Sequence, residues 1–123
     1  MNMLVQQNVL SRKQIDYITL TIFLLARHGR IERAQILVDA LYALGVRAEK
    51  TLVARIVLKF LSGNYPEALQ DLEDIEQGLL PRIEPAKRKD LRRLLTYIRA
   101  RCFCEMDRRS EGEEIARSLL LVE

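Results

Sequence analysis

Apolar side chains recur along this chain at helical spacing, and each run ends at glycine, proline or a cluster of small polar residues. Ser11 followed by Gln14 has the form of a capping box, so a first helix is predicted from there to about His28. A second helix is predicted from about Ile31 to Leu44, where Gly45 stops it. A third spans about Ala48 to Leu61 and ends at Ser62-Gly63-Asn64. The fourth begins near Tyr65-Pro66, proline being tolerated in a first turn, and ends near Gly78. Its Glu67 lies where negative charge suits the helix dipole. Gly78 to Pro85, bracketed by glycine and two prolines, reads as a loop. A long fifth helix follows from about Ala86 to Met106, Asp107 to Ser110 form a turn, and a sixth helix runs to about Leu121. Residues 1–10 read as an N-terminal tail whose Leu4, Val5, Val9 and Leu10 could dock on a neighbouring surface. The pattern predicts an all-α chain.

Two of the turns repeat. Gly29-Arg-Ile-Glu-Arg-Ala34 and Gly63-Asn-Tyr-Pro-Glu-Ala68 start 34 residues apart, and in both the alanine stands five residues after the glycine. Leu37, Val38 and Leu41 then continue the first copy, and Leu69, Leu72 and Ile75 the second. The glycine ends one helix at a position that favours positive φ. The alanine is small, so two antiparallel helices can approach closely. A helix–turn–helix period of 34 residues is similar to the tetratricopeptide repeat. A third, degenerate copy aligns Asp107 with the two glycines, Gly112 with the alanines and Leu119 with a later core position. Its spacing from Gly63 is 44 residues, and the 78–87 segment absorbs the extra ten. The predicted architecture is a single domain over 11–121, with repeats at about 14–46, 48–78 and 86–121. Three helical hairpins of that kind form a short right-handed superhelix with a concave groove.

The third helix has a narrow polar stripe, Thr51, Arg55, Lys59 and Ser62, and is apolar elsewhere: Leu52, Val53, Ala54, Ile56, Val57, Leu58, Phe60 and Leu61. A surface helix needs an apolar arc only somewhat wider than about 100°. The first helix is similar, with Ile15, Tyr17, Ile18, Leu20, Ile22, Phe23, Leu24 and Leu25 around most of its circumference. In tetratricopeptide architecture the first helix of each pair lines the concave surface. Thr19, Phe23 and Ala26, with Ala54, Leu58 and Leu61, are therefore the candidate partner-binding residues. The alternative register in the second repeat exposes Val53, Val57 and Phe60 instead, and Tyr97 is the candidate on the fifth helix. Such a groove would hold an amphipathic helix by its i, i+3, i+4 and i+7 side chains. The competing reading places all these residues in the core of a monomer or at a homodimer interface.

Composition changes this picture little. With 123 residues, 49% hydrophobic and 30% charged, the chain is of ordinary globular type and long enough for one real core. No run of about 18 apolar residues suggests membrane insertion, and the first residues lack the basic start and apolar run of a signal peptide. A cytoplasmic location is expected. Ten of the 20 basic residues (Arg82, Lys87, Arg88, Lys89, Arg92, Arg93, Arg99, Arg101, Arg108 and Arg109) fall within 82–109, whereas Glu67, Asp71, Glu73, Asp74 and Glu76 cluster on the fourth helix. The net charge is only +3, and no nucleic-acid motif accompanies the basic run. A solvated face partly paired with the acidic helix is expected, and no nucleic-acid partner. Cys102 and Cys104 lie about 200° apart on a helix, so they are predicted not to pair with each other and to be structural. No metal ligand set, cofactor motif or catalytic motif is present. His28 is predicted to sit at the C-terminus of the first helix, in a capping or surface role. The chain reads as a non-enzyme.

The run Val53-Ala-Arg-Ile-Val-Leu-Lys-Phe-Leu-Ser-Gly-Asn-Tyr-Pro-Glu-Ala-Leu69 resembles the central repeat of the small tetratricopeptide chaperones of type III secretion needle subunits. In that family an Ile/Leu-rich helix leads into Gly-Asp-Tyr and an Ala-Leu pair, positions held here by Gly63-Asn-Tyr65 and Ala68-Leu69. Glu32 to Gly45 is similar to the family's helix ending in Leu-x-Gly. Ile83-Glu-Pro85 and Cys104-Glu105 have counterparts in its loop and fifth helix. The resemblance covers about residues 20–106; the basic fifth helix departs from it. It implies a virulence-associated protein-transport chaperone that keeps the needle subunit monomeric in the cytoplasm. That subunit's C-terminal amphipathic helix would lie in the concave groove, and a small helical co-chaperone would pack on the N-terminal repeat as a heterodimer partner. Alternatives are a chaperone for another secretion substrate and a self-associating adaptor.

Overall fold

The structure, a computed structural model, describes residues 10–121. Among these it is all-helical. Six α-helices follow in order: α1 (Arg12–Arg27), α2 (Ile31–Ala43), α3 (Glu49–Leu61), α4 (Tyr65–Asp74), α5 (Pro85–Glu105) and α6 (Arg109–Leu121). All but the last residue of the expected tail lies outside the described part.

The helix ends follow local chemistry. The capping box is present at α1: the Gln14 N–H donates to Ser11 Oγ at 3.1 Å, and the Ser11 N–H donates to Gln14 Oε1 at 2.9 Å. At its other end His28 is the C-cap, its N–H donating to the Leu24 carbonyl at 3.1 Å. Gly29 then turns at φ 79° and Gly63 at φ 84°. Asp107, the residue that aligns with them in the third copy, also has positive φ, at 62°. The hydrogen-bond pattern repeats as well. The Arg30 N–H donates to the Leu25 carbonyl at 2.8 Å and the Arg108 N–H to the Phe103 carbonyl at 2.9 Å, the closing bond of a Schellman turn in each case. The degenerate copy therefore keeps the turn although it has lost the glycine.

The segment after α4 differs from the predicted loop. Ile75–Leu79 form a π-helical turn and Leu80–Arg82 a 3-10 turn, leaving only Ile83 and Glu84 between helices. The reason is burial. Ile75 and Leu80 are buried and Leu79 is half-buried, so a solvated loop would have stranded apolar surface. The wider turn lets the chain keep its backbone hydrogen bonds while it re-aims these side chains.

By contacts the chain divides into two compact units, 1–62 and 63–123, the boundary falling within the predicted second repeat. In the first unit α1, α2 and α3 pack on one another. Their core is Ile22, Ala34, Val38, Leu41, Ala54 and Leu58, edged by Ile18, Leu25, Ala26 and Leu37. In the second unit α5 packs on α4, on the 3-10 turn and on α6. Ala68, Leu72, Leu91, Leu95, Ile98 and Cys102 are its buried side chains along α4 and α5. The three small residues of the repeat register, Ala34, Ala68 and Gly112, are all buried, and Leu119 is half-buried.

Candidate functional site

Three of the four residues in the polar stripe of α3 are covered, and only Ser62 at its end is exposed. Thr51 and Lys59 are buried and Arg55 is half-buried. The Arg55 guanidinium lies over the Tyr42 ring of α2, 3.7 Å from its centroid, and Nε is 3.5 Å from Asp39 Oδ1. Arg47 stacks on the same ring at 3.6 Å and donates from Nη1 to the Tyr42 carbonyl at 2.7 Å. Ser62 Oγ donates to Gln35 Oε1 at 2.9 Å. These contacts dock α3 on α2 through its polar side chains and fix its rotation.

That rotation removes two of the candidate partner residues from the surface. Ala54 and Leu58 are 2% and 1% exposed and belong to the core of the first unit, so they do not line an open groove. Val53, Val57 and Phe60 are half-buried and Leu61 is exposed. Each register therefore keeps some accessible surface on α3: Leu61 in the first, and the half-buried Val53, Val57 and Phe60 in the second. The correction has a simple cause: a residue facing Ile22, Val38 and Leu41 cannot also face solvent.

On α1, Thr19 is buried, Ala26 is half-buried against the core and Phe23 is exposed. Three further residues of α1 are exposed that were not singled out as partner residues: Tyr17 at 72%, Leu20 at 57% and Leu24 at 48%. With Phe23 they occupy about a third of the helix circumference. The signal was present in the sequence as the excess of apolar residues on α1, since only one arc of a helix can face its partners. Thr19, Leu20 and Phe23 also border a groove of about 750 Å³ whose other wall is the first turn of α3, Ala48 to Thr51.

Tyr97 belongs to the second unit and is exposed; Arg101 Nη1 donates to its hydroxyl at 2.8 Å. Around it lies the basic run. Arg99 Nη2 is 2.6 Å from Glu76 Oε1, in the turn just after the acidic α4, which provides part of the expected pairing. Arg108 forms a two-pronged pair with Glu111, which holds that carboxyl below its usual range. Both cysteines are free. Burial pushes the Cys102 thiol up to about 11. Among the described residues no helix is long and apolar enough to cross a membrane, and no group of three or more His, Cys, Asp or Glu is placed to hold a metal ion. Comparison of the chain with protein-family models, with curated proteins and with solved structures found no match.

Proposed function

We propose that this chain is a non-enzymatic, cytoplasmic binding module with tetratricopeptide-like helical hairpins arranged as a short superhelix. Its task is to chaperone a type III secretion needle subunit together with a small helical co-chaperone. One observation carries the reading. Tyr17, Leu20, Phe23 and Leu24 put four large apolar side chains at the surface of a single helix. An apolar patch of that kind marks an interaction site, and a helix face displaying it is suited to an amphipathic helix. The sequence resemblance supplies the identity of the partner. A subunit made to polymerise must have its apolar assembly surface covered until export, which is the need this surface would meet. The partly open Val53, Val57 and Phe60 face of α3 is the second candidate surface, and Tyr97 the third.

Co-expression with the needle subunit and with small helical proteins encoded nearby tests the proposal. The expected result is a soluble complex containing one copy of the needle subunit. Leu20→Glu, at an exposed position, is expected to leave the isolated chain folded and to reduce capture at least tenfold. A symmetric homodimer in light scattering that ignores the needle subunit would instead favour the self-associating adaptor.

A further inference from the structure

The outer face of α1 is apolar in the middle and cationic at both ends. Tyr17, Leu20 and Leu24 share one stripe of the helix, with Lys13 a turn before them and Arg27 just after. All five side chains are exposed. Arg30 and Arg33, also exposed, extend the positive run through the turn into α2. With Arg12 these make five basic residues between 11 and 33, against Asp16 and Glu32 as the only acids. Among the described residues Lys13, Arg27, Arg30 and Arg33 have no ion-pair partner. Lys13 and Arg27 stand seven residues either side of Leu20, about 21 Å apart along the axis. That exceeds the screening length of about 10 Å at 0.1 M salt, so each end needs its own counter-charge.

This sign pattern discriminates between occupants. A second copy of the chain would bring the same face. In an antiparallel pair centred on Leu20, Lys13 of one copy falls opposite Arg27 of the other; in a parallel pair each cation falls opposite itself. Like charges held together at both ends oppose either dimer. An anionic lipid surface suits the cations but not Asp16. That carboxylate lies one turn from Leu20 and borders the same groove as Leu20 and Phe23, so inserting those side chains would carry it among the lipid phosphates. We infer that the face takes a partner helix whose apolar stripe is bracketed by carboxylates at both ends, with a basic or neutral residue opposite Asp16. The apolar side chains supply the affinity, and the charges set the choice of partner and the encounter rate. The inference deepens the proposed function and rests on it for the partner being a protein helix.

The test uses the full chain and three helical peptides that share one Leu/Ala stripe and carry two Glu, two Gln or two Lys at each end. Calorimetric titration at low salt is expected to find the Glu-ended peptide bound about tenfold more tightly than the Gln-ended one, and the Lys-ended one weakest. Screening at high salt should shrink the first difference to about threefold or less. Lys13→Glu combined with Arg27→Glu is expected to reverse the order, so that the Lys-ended peptide binds best. A merely structural role for the two residues would weaken all three peptides alike. Both positions are exposed, and if the double variant does not fold, the comparison on the wild-type chain decides. Equal binding of the three peptides, or no binding of the Glu-ended one at about 1 mM, would overturn the inference. A dimer that Leu20→Glu disperses would overturn it in favour of a second copy, and flotation with phosphatidylglycerol vesicles at physiological salt in favour of lipid. Capture of the needle subunit with no preference among the peptides would remove the charge rule and keep the chaperone reading. The Glu preference without that capture would remove the client and keep the surface.

Discussion

Gly112→Ala places one methyl group where α6 lies directly against α5. A Cβ at that position would lie 2.6 Å from Cys104 Sγ, 2.8 Å from the Ala100 carbonyl oxygen and 3.1 Å from the Cys104 backbone nitrogen. The sulfur can rotate; the two backbone atoms cannot, so relief requires the helices to separate. Forcing a methylene into a filled core costs about 1–3 kcal/mol. Alanine returns about 1 kcal/mol through its better helix propensity. Because two of the three contacts are with backbone, the cost falls in the upper part of that range and the net loss is about 1–2 kcal/mol. For a chain of 123 residues this corresponds to a fall in Tm of about 3–10 °C. Urea titration at 25 °C and a thermal scan both read it. Gly78→Ala is the control, since a Cβ there meets nothing within 4 Å and the backbone is not in the left-handed region. It is expected to be neutral or to stabilise by about 0.4–1 kcal/mol. Adding Cys104→Ala to Gly112→Ala should recover only part of the loss, because the Ala100 oxygen remains. A Gly112→Ala variant as stable as the wild type would refute the close approach of α5 and α6 and, with it, the assignment of Gly112 to the small-residue position of the third repeat.

The turns make an opposed pair of predictions: Gly29→Ala, at φ 79° in open space, should cost about 1–2 kcal/mol from backbone strain alone. Asp107→Gly, at φ 62°, should be neutral or stabilising by up to about 1 kcal/mol in the same urea titration. Ser11→Ala removes the capping box of α1 and should lower stability by about 1 kcal/mol, with faster hydrogen exchange confined to the first turn. The Cys102 thiol, raised by burial to about 11 from an ordinary value of 9.0, should resist a thiol reagent at pH 8 while the more accessible Cys104 reacts. Because the unfolded thiol ionises first as pH rises, stability should decline between pH 9 and 11 and level off above, and Cys102→Ala should abolish that component of the slope.

The six helices were legible because their signals are local. A capping box at Ser11, glycines at the turns and apolar residues every third or fourth position act within a few residues of where they stand, and each helix begins and ends within about two residues of its predicted limit except α4, which stops at Asp74, four residues short of Gly78. The repeat was legible for the same reason. A turn that needs positive φ and a crossing that needs a small side chain are requirements on single residues, which is why Asp107 and Gly112 align with the earlier copies by sequence alone. The 78–85 segment was misread because glycine and proline mark a break in a regular α-helix, whereas Leu79 and Leu80 had to be buried and drew the chain into wider and tighter helical turns.

What the chain could not state is which way α3 faces. Thr51, Arg55, Lys59 and Ser62 look like a solvated stripe in one dimension, and an amphipathic pattern gives no reason to turn them inward. Only the tertiary structure supplied the Tyr42 ring, Asp39 and Gln35 that meet Arg55 and Ser62. Their contacts sent Ala54 and Leu58 into the core and left Val53, Val57 and Phe60 partly open. The same holds for α1, where composition revealed more apolar surface than one interface needs but not that Tyr17, Leu20 and Leu24 would remain outside. Local propensity determines where helices form; the rotation of each helix is a property of the partners it finds, and so therefore is the identity of every exposed face.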